Sequence, residues 1–256
     1  MNTFRGEVPF DATYYREYGI HRIPSPSGND YIASFPNWSE TLDALKNDMP
    51  YSGHVVTTDY ATIEDWSEVP NHPEVINGRI REATDLTRNT DAVLHLGTPT
   101  PVIDPATGEK YWHNSALTIH RGSVKSRAHK TDLFPGEMAA NMREPAIDKR
   151  KVYLGGAALI CSEIFHYDYR GSNPLRQQNP RTIFALTNFA VSSVTGKALD
   201  AAIHEAGGKD NYYGEWLEMG VGDLVLNHLP SVNRVIVSDR GQPDLPPYNA
   251  VFQRKS

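Results

Sequence analysis

One cysteine in 256 residues, Cys161, leaves no partner for an internal disulfide, which fits a reducing compartment. No stretch approaches the roughly 18 apolar residues that a membrane-spanning helix needs. Met1–Phe10 carry no apolar core flanked by a basic segment, so no signal peptide is expected and the chain is read as soluble and cytoplasmic. No extended Lys/Arg stripe offsets the formal charge of −6, which argues against nucleic acid as the main partner. His-x-x-x-His and Cys-x-x-Cys spacings are missing, so His113, His120 and His129 are read as incidental, and neither a metal nor a cofactor is expected. A Gly-x-Ser-x-Gly elbow is missing too, which disfavours a serine hydrolase. Gly207-Gly208 and Gly220-Val221-Gly222 lack the strand-turn-helix setting of a phosphate loop.

What remains is an ordinary globular composition, 39% hydrophobic and 22% charged, sufficient for one substantial core. Residues 1–30, rich in Tyr, Pro, Gly and Ser, read as an irregular N-terminal arm with a turn at Pro24-Ser25-Pro26-Ser27-Gly28, and residues 31–256 as a single domain. Strands are expected at Tyr31–Phe35, His54–Thr58, Ala92–Gly97 and Asn114–His120. Between them fall a short helix capped by Ser39 and an amphipathic helix over Pro73–Arg88, where Val75, Ile76, Ile80, Ala83 and Leu86 recur at helical spacing. Further on, Gly155–Cys161, Thr182–Thr187 and Val232–Ser238 read as strands and Tyr212–Leu229 as a helix that Gly220 and Gly222 weaken. Helices alternating with apolar strands predict a layered α/β fold, with parallel and mixed sheets both open.

Cys161 ends the apolar run Ala157-Ala158-Leu159-Ile160, and a short basic cluster ending in Lys130 lies upstream. A lone thiol at a strand end with a lysine that could lie beside it suggests nucleophilic catalysis, against the bland readings of a small core hydrophobe and a solvated lysine. The surrounding blocks decide between them. Tyr111-Trp112-His113-Asn114-Ser115-Ala116, Arg127-Ala128-His129-Lys130-Thr131-Asp132-Leu133-Phe134-Pro135-Gly136-Glu137 and Leu159-Ile160-Cys161-Ser162-Glu163-Ile164-Phe165 resemble, in order and spacing, the central blocks of the nitrilase or carbon-nitrogen hydrolase superfamily. Leu186-Thr187-Asn188 is similar to that family's later Thr-Asn strand end, and the resemblance runs over about residues 31 to 240. It implies a four-layer-forming α-β-β-α sandwich, pairing into a homodimer or larger homo-oligomer, and a Glu-Lys-Cys site that uses no metal on a small amide-type substrate.

A free thiol has a pKa of about 8.5, so a carboxylate must take its proton or a cation must hold the thiolate. By resemblance, Cys161 attacks an amide, nitrile or carbamoyl carbon to form a thioester, and Lys130 and the backbone N–H of Ser162 stabilise the oxyanion. Glu137 resembles the second glutamate, which orients the lysine and the substrate. Asn114, Ser162, Asn188 and Phe189 are the expected substrate-binding residues. Asn114 also reads as a residue satisfying backbone groups at a strand start, Glu137 equally as a solvated turn carboxylate, and Glu163 as a third acid near the nucleophile or, in the preferred reading, a strand-end residue facing water.

At the general base the sequence departs from the pattern. Thr58-Asp59 stand where the family has Pro-Glu, so Asp59 is the natural occupant of the base position. Aspartate is one methylene shorter, which retracts the carboxylate by about 1 Å, and such a displacement costs about a hundredfold in rate unless the backbone compensates. Glu64 could reach back, although Asp65 and Glu68 beside it read as an ordinary acidic loop. Three functions follow: a cysteine-dependent hydrolase of a nonpeptide C-N bond, a catalytically impaired homologue that binds a small molecule or protein through the same pocket, and a soluble acyltransferase. The pocket-lining loops are placed at Asp65–Pro73 and Asn188–Gly196, with Phe189, Trp66 and Trp112 as lining or core aromatics.

Overall fold

The computed structural model describes residues 8–25, 28–65, 67–167, 174–188, 203–241 and 246–255. Eleven strands among these residues make two sheets. One, in spatial order, holds β1 (Phe10–Tyr15), β11 (Asn249–Arg254), β10 (Arg234–Asp239), β9 (Thr182–Thr187) and β8 (Gly156–Ile160). The other holds β2 (Gly19–Ser25), β3 (Gly28–Ser34), β4 (Ser52–Thr57), β5 (Asp91–Ile103), β6 (Lys110–His120) and β7 (Ser123–His129). Both sheets are mixed. β8, β9 and β10 run parallel, as do β3, β4 and β5, while hairpins and edge strands add antiparallel pairs. This resolves the choice that the sequence left open.

Three apolar layers explain the stacking. Ile32, Val56, Ile160, Phe184, Leu186 and Ile236 interlock between the sheets. The outer face of the second sheet buries Leu94, Leu96 and Leu117 against α1 (Trp38–Asp48) and α3 (Pro73–Leu86), whose apolar stripes supply Leu45 and Ala83. Leu159, Ile183 and Val235 of the first sheet pack against Leu217, Val221 and Val225. The result is the expected α-β-β-α sandwich.

Several expectations need correction. The N-terminal segment is not an irregular arm: β1 pairs with β11 in one sheet and β2 pairs with β3 in the other. Both strands lie at sheet edges and most of their residues are only half-buried, so no apolar run marks them. The cap of α1 is Asn37, whose Oδ1 accepts from the Glu40 N–H at 2.9 Å, rather than Ser39. The basic cluster before Lys130 is itself strand β7, with Ser126 and Ala128 turned inward. The long C-terminal helix is α-helical over Lys209–Glu218 and π-helical over Met219–Leu226. A Cβ at Gly220 would lie 2.6 Å from Phe165 and one at Gly222 2.4 Å from Phe10, so these glycines admit close packing of the irregular turn.

Candidate active site

The carboxyl ends of strands from both sheets meet at one edge of the sandwich, the usual place for a ligand in an open α/β sheet. Lys130 follows β7, Cys161 follows β8, Asn188 follows β9, Arg240 follows β10 and Asp59 lies just past β4. Together with Tyr60, Ile63, Phe134, Gly136 and Glu137 they line a cavity of about 350 Å³. Thus the four expected catalytic residues, Asp59, Lys130, Glu137 and Cys161, come together although they are spread over more than a hundred positions of the chain.

Cys161 sits on a sharp turn between β8 and the short helix α5 (Glu163–His166), with φ at +49°. A non-glycine residue there carries backbone strain, held by its own N–H donating to the Leu186 carbonyl at 2.8 Å. The carboxylate of Glu163 anchors the same turn. It accepts from the Ile160 N–H at 2.9 Å and the Thr131 N–H at 2.9 Å, and pairs with Arg150 at 2.7 Å. Glu163 is therefore fully buried, not the water-facing residue that its place after the strand suggested. Arg150, 20 positions after Lys130, supplies the compensating charge that makes this burial tolerable.

Lys130 is 1% exposed and donates to both oxygens of Glu137, at 3.0 and 2.8 Å. Burial works against its charge, yet Cys161, Glu137 and Asp59 outweigh that and raise its pKa above the ordinary lysine value. Three ammonium protons and two used leave one for the cavity. Glu137 is no solvated turn carboxylate. It is buried at the first turn of α4 (Pro135–Ala139), accepts the Phe134 N–H at 2.7 Å, and takes a short hydrogen bond from the Tyr60 hydroxyl.

Asp59 is completely buried, and its backbone N–H donates to the Thr187 carbonyl at 3.2 Å, tying the end of β4 to the other sheet. Its Oδ2 accepts from Asn114 at 3.3 Å, while Oδ1 is buried without a hydrogen-bond partner. Burial pushes its pKa up to about 7; Lys130 opposes that shift and Glu137 reinforces it. The Cys161 thiol is likewise pushed up to about 12 by burial, against the pull of Lys130. At neutral pH the thiol keeps its proton, which points to the Asn188 carbonyl.

The path of the chain at Asp59 depends on Gly97 in β5. A Cβ there would lie 2.1 Å from the Thr58 carbonyl oxygen and 2.8 Å from the Asp59 Cα. The glycine lets the end of β4 lie close against β5 at this point. Glu64 is occupied elsewhere, accepting from Ser39 N–H at 2.7 Å.

The expected binding residues separate into two groups. Asn188 lines the cavity, and its carbonyl accepts from Cys161 Sγ at 3.7 Å. Asn114 stands behind the carboxylates, donating to Tyr60 and Glu137 at 2.7 Å each. Ser162 follows the nucleophile as the cap of α5, its hydroxyl donating to the Asp132 carbonyl at 3.4 Å. Phe189, Trp66 and most of the Asn188–Gly196 loop lie outside the described residues. His113, His129 and His120 bond to the Arg143 carbonyl, Ser115 and Tyr153 respectively. Sequence reasoning missed Tyr60, Gly97 and Arg240. Tyr60 adjoins the base position and a strand-ending arginine precedes Gly241, but neither pattern carries a spacing that identifies it.

No family model matches the chain, and no curated protein matches it in sequence. Solved structures do. A serine-substituted Nesterenkonia AN1 amidase from the nitrilase superfamily superposes with a TM-score of 0.56 at 11% identity, over 99% of this chain and 94% of that one. A carbon-nitrogen hydrolase from Helicobacter pylori G27 gives 0.54 at 13% identity, over 83% and 73%. The chain also covers 40% of the length of a glutamine-dependent NAD+ synthetase from Acinetobacter baumannii, at 15% identity over 94% of this chain and a TM-score of 0.49. The molecule is a two-sheet α/β sandwich with a strained cysteine at its strand ends. More narrowly, its fold is that of the nitrilase, or carbon-nitrogen hydrolase, superfamily.

Proposed function

We propose that this chain is a cysteine-dependent hydrolase of a nonpeptide carbon-nitrogen bond, acting on a small amide. The observation that carries the reading is the meeting of Cys161, Asp59 and the Lys130–Glu137 pair in one cavity. An amidase and a carbon-nitrogen hydrolase among the fold neighbours support the choice of bond.

In the proposed cycle Asp59 accepts the thiol proton as Cys161 Sγ attacks the amide carbon. The oxyanion takes the free Lys130 proton and the N–H of Ser162. Asp59 returns the proton to the departing nitrogen, the C–N bond breaks, and a thioester and an amine result. Water then attacks the thioester as Asp59 takes its proton; the C–S bond breaks, the acid leaves and the thiol is regenerated. Glu137 stays with Lys130 throughout, held by Tyr60 and Asn114. Pairing of the chain into a homo-oligomer belongs to the same proposal.

A raised thiol and a base near neutrality set a specific test. Alkylation of Cys161 by limiting iodoacetamide, followed by intact mass, is expected to accelerate as pH rises through about 7, the Asp59 value. Asp59→Asn should remove that step and slow labelling at pH 8 by about tenfold or more. Labelling that follows only the thiol's own ionisation, unchanged in Asp59→Asn, would favour the impaired homologue instead.

A further inference from the structure

Within the cavity the two cations are held in different ways. Lys130 is matched by both oxygens of Glu137. Arg240 is not matched by any carboxylate among the described residues; Asp59 and Glu64 act on it only through space. Its guanidinium is half-buried and donates three hydrogen bonds, all to neutral carbonyls: Pro36 at 2.6 Å, Tyr60 at 3.0 Å and Ile63 at 3.2 Å. Its own N–H, bonded to the Thr187 carbonyl at 3.0 Å, fixes the base of the side chain.

Among the described residues, five guanidinium N–H groups less three leave two unassigned on a side chain that lines the cavity. A cation withdrawn from water without a counter-ion costs free energy, and an anion brought in with the substrate would recover it. Guanidinium geometry suits a carboxylate, which it binds through charge-assisted N–H···O contacts. The three carbonyl bonds hold the planar group rigid before any ligand arrives, which lowers the ordering cost of binding.

Resting on the hydrolase reading above, we propose that the substrate is the amide of a short acid that carries a carboxylate at its other end, and that Arg240 receives that carboxylate. The amide carbon then lies at Cys161 and the carboxylate at Arg240, spanning the same cavity. Ile63 and Phe134, also on its wall, face the methylenes between them. Arg240 is thus a specificity residue, and through Tyr60 and Ile63 it also braces the loop that carries Asp59.

The test separates binding from turnover. Calorimetric titration of the Cys161→Ala protein with succinamate and with butyramide, its analogue lacking the carboxylate, is expected to favour succinamate by about 10- to 100-fold, the range of a charge-assisted contact. Equal affinity overturns the proposal with no further variant needed. In Cys161→Ala/Arg240→Gln the preference should fall to within about threefold, with Arg240→Lys between the two; a preference that survives Arg240→Gln overturns the assignment to Arg240. Because Arg240 also ties three carbonyls, circular dichroism of each variant accompanies the titrations. Ammonia release by the unmodified protein reads the other question. Selective binding of succinamate with no release from either amide sinks the hydrolase reading and supports the carboxylate site. Equal turnover of the two amides keeps the hydrolase and overturns the site.

Discussion

Two buried carboxylate-cation networks flank Cys161, and they differ in completeness. Around Glu163 the bonding is closed: Arg150 donates to both of its oxygens, Thr131 N–H and Oγ and the Ile160 N–H complete it, and the remaining Arg150 donors reach Asp148, Ala158 and His129. Around Glu137 it is open. Among the described residues, Asp59 Oδ1 and Asn114 Oδ1 are buried without partners, and one Lys130 proton is unassigned. Native interiors leave few polar atoms unsatisfied, and two of these three, on Asp59 and Lys130, belong to residues that line the cavity. The closed network holds the Cys161 turn in its strained shape; the open one faces the cavity and, in the proposed cycle, carries the chemistry.

The difference can be broken from the closed side. Glu163→Gln leaves Arg150 buried with only part of its compensation, and a broken buried pair costs about 3 to 5 kcal/mol. For a chain of this size that is a fall in Tm of roughly 6 to 20 °C, read by thermal unfolding. Glu137→Gln also breaks a buried pair, with Lys130, so its stability loss is of the same order, but it should in addition slow amide turnover by about a hundredfold or more. A Glu137→Gln protein with full amide turnover would erase the distinction between scaffold and site.

Gly97 sharpens it from the open side. Gly97→Ala drives a methyl into the Thr58 carbonyl and the Asp59 Cα, so the end of β4 must move. Overpacking costs about 1 to 3 kcal/mol, and a shift of about 1 Å at the base costs about a hundredfold in kcat. The expected signature is a large loss in kcat with a modest loss in Tm, the reverse of Glu163→Gln. A Gly97→Ala protein with full kcat would show that the close approach of β5 does not position Asp59.

How much of this was legible follows from where each network draws its residues. The nucleophile, lysine and second glutamate stand in contiguous blocks that local pattern can show, and the buried strands announce themselves by apolar runs such as Ala157–Ile160 and Ile183–Leu186. The edge strands β1 and β2 and the basic strand β7 were illegible because most of their residues are only half-buried or, in β7, carry Arg and Lys outward. Glu163 was misread because its partner, Arg150, comes from a loop that no periodicity ties to it. Gly97 and Arg240 act through distances of approach to other strands, and no linear spacing encodes those.

The smallest effect, and the one that isolates the open network, is its pH dependence. Asp59 has its carboxyl pKa raised from an unfolded value near 4 to about 7. The folded state therefore binds a proton that the unfolded state has released, so this group contributes stability below pH 4 and loses it as pH rises through 7. Above pH 7 the ionised, buried Asp59 no longer offsets its own desolvation. Asp59→Asn, which cannot ionise, is accordingly expected to be more stable than the unmodified protein at pH 8 and to lose that advantage by pH 4, read as the difference in Tm. Its amide turnover should vanish over the same range in which it gains stability. Such an exchange is expected of a group kept unsatisfied for its chemistry, and the closed Glu163 network should show none of it. If the Tm difference between Asp59→Asn and the unmodified protein were the same at pH 4 and pH 8, Asp59 would not titrate in this window and its role as the base would fall.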